Sequence, residues 1–155
     1  MTKTISVLLA VLAGIFGVPA WAQMQVHDPM VRMVPPGQPI SAAFMILHNH
    51  GMEEKILVKV HSDLASAVEL HNHIMADGMM KMRRIDSVVI PGHSQVELKP
   101  GGLHIMLIGL SRNLQVGEQV SIELEFADSE RLAVTAPVQM VKERHSHSDH
   151  TKHTD

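Results

Sequence analysis

The sequence predicts an all-β domain, an antiparallel sandwich or barrel. Short apolar stretches alternate with polar residues at the two-residue period of strands. Clusters of Pro, Gly, Asn and Asp separate them at close intervals. No convincing segment keeps the 3.6-residue period of a long amphipathic helix. Many short strands at such spacing are the mark of a sandwich or a barrel.

Strand-like patterning starts at Val26 and is punctuated by Asp28-Pro29 and Val34-Pro35-Pro36-Gly37. Residues 40–47 form a strongly apolar run that stops at His48-Asn49-His50-Gly51. In residues 55–60, Ile56, Val58 and Val60 alternate with Leu57 and Lys59. One helical turn is expected near 64–67. Across 65–71, Val68 and Leu70 take one face, Glu69 and His71 the other. Ala76-Asp77-Gly78 reads as a turn into a strand over 79–84. Val88-Val89-Ile90 ends at Pro91-Gly92, and 95–98 ends at Pro100-Gly101-Gly102. A strand follows over 103–110, then a turn at Gly117. The strands 120–126 and 132–138 flank a turn at Asp128-Ser129-Glu130.

The ends of the chain read differently. Lys3, the apolar run 5–18 and Ala20-Trp21-Ala22 have the layout of a cleavable secretory signal over 1–22. That implies export, to the periplasm, and no membrane span after cleavage. Residues 23–140 make one domain, and 141–155 a charged, histidine-dotted tail expected to be disordered.

There is no cysteine. This excludes disulfides, thiolate metal sites, cysteine nucleophiles and a cysteine-linked lipid. A formal charge of −3 argues against nucleic acid as a partner. Aromatics at 3% disfavour stacking platforms. No catalytic role is expected: carboxylates are scattered, and neither G-x-S-x-G nor a phosphate-cradling loop is present.

Methionine and histidine, twelve of each, are in excess. Ten residues separate His71 from Met82, twenty-one separate Met82 from His104, and one separates His104 from Met106. Residues two apart on a strand share a face. His104 and Met106 therefore lie opposite Leu103, Ile105 and Leu107, the aliphatic set that suits a core, and toward a rim or outer face. Two neutral imidazoles and two thioethers are a soft ligand set that adds no negative charge, which favours Cu(I). Zinc would take more imidazole, thiolate or carboxylate. A blue-copper centre would need a cysteine.

The same residues resemble the copper-binding signature of periplasmic PCuAC-type copper chaperones. The surroundings match too, in Val68-Glu69-Leu70-His71, Gly78-Met79-Met80-Lys81-Met82-Arg83 and Pro100-Gly101-Gly102-Leu103-His104-Ile105-Met106-Leu107. The resemblance spans about residues 26–138. It implies a cupredoxin-like Greek-key barrel that holds one Cu(I) through His71, Met82, His104 and Met106. It also implies delivery to the dinuclear copper site of cytochrome oxidase, alone or with a Sco-type partner.

His73 and Met80 crowd that set as secondary ligands, with Met75 and Met79 beside them. His145, His147, His150 and His153 in the tail suit Cu(II) or Zn, with Cu(II) collection the role considered for them. His27 with Met30 and Met33, and His48 with His50 and Met52, read as surface loops. Met24, Met45 and Met140 read as core filler. Delivery competes with a second reading, a periplasmic copper buffer without a dedicated acceptor, which the methionine excess and the tail motivate.

Overall fold

The computed structural model describes residues 23–141, so the proposed signal and nearly all of the tail lie outside the described residues. Ten strands and no helix are present among them. They are β1 (Met24–Arg32), β2 (Ile40–Asn49), β3 (Lys55–His61), β4 (Ala65–Ala76) and β5 (Met79–Ile85), then β6 (Val88–Ile90), β7 (Ser94–Leu98), β8 (His104–Leu110), β9 (Gln119–Phe126) and β10 (Arg131–Gln139).

Hydrogen bonds run in one path, β5-β4-β8-β2-β1-β10-β9-β3-β6, with β7 also on β2. β5 and β6 are not neighbours in that path, so it folds over without closing. One layer is β5-β4-β8-β2-β1 with β7, and the other is β10-β9-β3-β6. They join where β1 meets β10 in parallel, Val31 opposite Val138. The links β2–β3, β3–β4, β5–β6, β6–β7 and β8–β9 cross between layers.

Alternation decides which side chains enter the core. Ala43, Met45, Leu47, Ile105 and Leu107 come from one layer, and Leu57, Ile122, Leu124, Phe126 and Val138 from the other. Burying apolar area from both sheet faces is the dominant favourable term in such a fold. Met24 and Met45 are core filler as expected, but Met140 is 77% exposed and is not. Lys55 closes the far end of the second layer by pairing with Asp128 and Glu130 across the β9–β10 turn.

Four local expectations need correction. The stretch 64–67 makes a turn and the start of β4, not a helical turn. β4 continues to Ala76, because residues 70–76 pair with β5 in an unbroken hairpin. Asp28-Pro29 does not punctuate the start of the strands but lies inside the first of them. There the register against β2 shifts between His27 and Met30, and Asp28 takes a φ of 48°. Such a bulge absorbs the residues that cannot continue a regular ladder. His48 belongs to β2, and His50 follows directly, so neither sits on a remote loop.

The strand over 103–110 is more unusual than its sequence suggests. Leu98 of β7 lies opposite Met45, and Ile105 of β8 lies opposite Ala43. β7 and β8 thus run collinearly along β2, and residues 99–103 loop out opposite Phe44. The loop is closed by the Lys99 N–H donating to the Leu103 carbonyl (2.7 Å) and the Gly102 N–H to the Lys99 carbonyl (3.1 Å). Gly101 has a φ of +79° with open space where a Cβ would stand. The turn, rather than the approach of another loop, calls for glycine here.

Candidate metal centre

The looped-out segment returns to the sheet at His104, on the outer face of the first layer. His71 of β4 is its direct cross-strand partner, and Glu69 is the partner of Met106. On the other side of β4, His73 faces Met82 and His71 faces Arg84. Directly opposed residues share a face. His71, His73, Met82, His104 and Met106 therefore lie on one face of β5-β4-β8, and Met80, opposite Met75, joins them further along the hairpin. The tail histidines 145, 147, 150 and 153 lie outside the described residues.

The rings are close. His104 is 5.9 Å from His71 and 5.2 Å from His73, centroid to centroid, the second pair stacked at 28°. A cavity of about 330 Å³ opens beside them, lined by His73, Met82, His104 and Met106 with Phe44 and Arg32. His71 borders the same face but is not part of that lining. This outer covering is why β2 is buried on both sides from Ser41 to Met45, and why residues 40–47 are apolar on both faces apart from Ser41.

His104 is less accessible than a rim position suggests, at 4% exposure. Its Nδ1 is 2.8 Å from the Gly102 carbonyl. A carbonyl only accepts, so Nδ1 carries the hydrogen and Nε2 keeps the lone pair. His71 is anchored the other way round. Its Nε2 donates to Glu69 Oε2 at 2.8 Å, while Arg84 holds Glu69 Oε1 at 3.2 Å. The His71 hydrogen bond, with Arg84, keeps the Glu69 carboxyl below its usual range. That leaves Nδ1 of His71 as the free lone pair, and the atom is buried with no hydrogen-bond partner. Nδ1 of His73 is orphaned in the same way. Buried polar atoms without partners are uncommon and call for a reason.

Glu69 and Arg84 were not among the expected site residues. Glu69 was readable as sharing a face with His71, but its role as an anchor needs the fold. Phe44 and Arg32 reach the cavity from strands that offered no local signal. Among the described residues, no three His, Asp or Glu side chains are placed to hold a metal ion as they stand. The chemistry gathered here is mixed nitrogen and thioether, and it is soft.

Burial pushes His104 below its ordinary pKa of 6.5; the bond to Gly102 opposes this, and His73 and His71 add to it. The unfolded chain then takes up that proton first. The metal-free protein should lose stability as pH falls below about 6.5, and His104→Gln should flatten that loss. Denaturant midpoints collected between about pH 7 and 5 measure it. An unchanged slope in the variant would assign the loss to other groups.

An all-β, crossed two-layer fold with histidines and methionines on one outer face has the architecture of PCuAC domains, which are cupredoxin-like. The chain is similar to the copper-bound PCuAC domain from PmoF2, with a TM-score of 0.65 at 23% identity, over 77% of this chain and 94% of that one; this likeness concerns the fold alone. It is 33% identical to CuI-DR1885 from Deinococcus radiodurans, with a TM-score of 0.61, over 82% of this chain and 83% of that one.

The chain belongs to the LpqE-like family, whose model, described as "Putative lipoprotein LpqE-like", matches residues 24–138. It is also 35% identical to "Putative lipoprotein Lxx21020" of Leifsonia xyli subsp. xyli, over 89% of this chain and 93% of that protein. With no cysteine in its sequence, the chain has no residue for a cysteine-linked lipid.

Proposed function

We propose that this protein is an exported, periplasmic copper chaperone whose cargo is a single Cu(I). His71 through Nδ1, His104 through Nε2, and the thioethers of Met82 and Met106 hold the ion. One observation carries the reading. Two histidines each have one nitrogen tied down, by Glu69 and by Gly102, and the other left with its lone pair on a face that also bears two thioethers. Anchoring the far nitrogen fixes the ring orientation and raises its basicity toward a metal. The 33% identical relative described as CuI-DR1885 supports the choice of Cu(I).

His71 is preferred to His73 because Glu69 orients it; among the described residues, no hydrogen bond orients His73 in this way. His73, stacked on His104, is placed to take part during loading or release, with Met80 further along the same face. Met82 is 45% exposed, so an acceptor thiolate can approach the ion from that side and displace a thioether. The acceptor fits a dinuclear copper site of cytochrome oxidase or a Sco-type partner. Among the described residues no helix is long and apolar enough to cross a membrane.

A copper buffer remains the second reading, favoured by the solvent exposure of Met75, Met79 and Met80 on the β4–β5 hairpin, 66%, 60% and 55%. Titration with Cu(I) against a competing chelator, followed by addition of a dithiolate acceptor domain, separates the two. The chaperone reading expects one tight equivalent that moves to the acceptor. Several equivalents that stay with the protein would replace it with the buffer.

A further inference from the structure

The same outer face carries a second group of imidazoles that the copper reading does not use. His27 of β1, His48 of β2 and His50 just beyond β2 come together although His27 is distant in the chain from the other two. The His48 and His50 rings are 3.9 Å apart, and His27 and His48 are 6.1 Å apart, centroid to centroid. Their placement follows from the ladder. Gln25 is opposite His48 and His27 is opposite Ile46 on the β1 side, while Gln95 and Glu97 hold the same two places on the β7 side. His27, Gln25, His48, Gln95 and Glu97 therefore form a grid on one face. The β1 bulge begins immediately after His27, and bulges re-aim the side chains beside them.

We propose that His27, His48 and His50 form a second metal site, for a divalent ion that prefers nitrogen and oxygen ligands, with Cu(II) ahead of Zn(II). The chemistry differs from that at the other end of the sheet. No thioether belongs to the grid, so it offers nothing selective for Cu(I). Three imidazoles with an amide or carboxylate oxygen suit the tetragonal nitrogen–oxygen preference of Cu(II), and the affinity order of divalent ions places Cu(II) above Zn(II).

As they stand, the three rings do not converge on one point. Closing them on an ion requires rotation about side-chain bonds at His27 and His50, which are both exposed. His50 now bonds Gln25 at 3.1 Å, a contact it would exchange for the metal. Ala42, beside Met106, lies six steps along β2 from His48. The two sites thus lie about 20 Å apart on one continuous face. This site stands independently of the Cu(I) reading.

The test uses the full chain with His145→Ala, His147→Ala, His150→Ala and His153→Ala, which removes competition from the tail. Cu(II) is added below one equivalent to the ¹⁵N-labelled protein. Paramagnetic broadening should appear first at Gln25 to His27 and at His48 to His50, with an electron-spin spectrum showing nitrogen ligation. His27→Ala/His50→Ala changes only exposed side chains; it should abolish the local broadening and weaken Cu(II) binding more than about 100-fold, beyond what loss of a mere supporting contact costs. Broadening confined to the neighbourhood of His71, His73 and His104, or broadening at β1–β2 that survives the double substitution, overturns the proposal.

Discussion

A His104→Ala/Met106→Ala protein should lose tight Cu(I) binding, with affinity reduced by more than about 100-fold. Disturbing a partner that merely orients a metal ligand already costs about 10–100-fold, and this variant removes two donors outright. The loss should come without unfolding. Both side chains leave from the outer face, whereas Ile105 and Leu107, on the core face of the same strand, stay in place. Competition titration measures the affinity, and circular dichroism of the same sample reports the fold. Glu69→Gln provides a graded companion, because it weakens the anchor on His71 without removing a donor. If the double variant binds Cu(I) like the parent, the copper lies elsewhere, with His73 and the methionines of the β4–β5 hairpin as the alternative donors.

The second large effect concerns Gly109, near the end of β8. Its φ is +69°, and an added Cβ would stand 2.1 Å from Ser66 Oγ. The left-handed backbone costs a non-glycine residue about 1–2 kcal/mol. Moving Ser66 also breaks its hydroxyl's hydrogen bond to the Ile108 carbonyl, worth about 1 kcal/mol. Gly109→Ala should therefore destabilise the fold by about 2–3 kcal/mol, a fall in Tm of roughly 10 °C for a domain of this size. Adding Ser66→Gly removes the collision but not the backbone strain, so it should restore only part of the loss. Full recovery would mean that strain contributes nothing.

Much of this architecture was readable from alternation alone. Period-two patterning located β3, β6, β9 and β10 to within a residue or two, because each presents one face to the core and the other to solvent or an edge. It failed at β1, where Asp28-Pro29 looks like a terminator. A bulge lets the strand carry both residues, and bulges leave no simple trace in hydropathy. It also failed at the end of β4, where His71, His73 and Met75 are too polar or too flexible to advertise a strand; pairing with β5 supplies what local preference lacks.

The clustering of the candidate residues was legible to a similar degree. Spacing singled out His71, Met82, His104 and Met106, and the ladder does place them on one face. Neither the anchoring of His71 by Glu69 nor the choice of nitrogen on each ring could be obtained from spacing, since both depend on cross-strand distances. The joining of His27 to His48 and His50 was equally hidden, because it depends on the register between β1 and β2.

The collinear arrangement of β7 and β8 has a consequence for how this protein can change. The sheet keeps step across the interruption, with Leu98 and Ile105 seated two residues apart against β2. Residues 99–101 can thus vary in length or sequence without shifting the frame of either strand, provided Gly102 still offers its carbonyl to His104. The segment behaves as a replaceable cassette. Grafting a longer or more acidic version would redraw the contour that an incoming protein meets, while the imidazole and thioether donors remain on an unaltered scaffold.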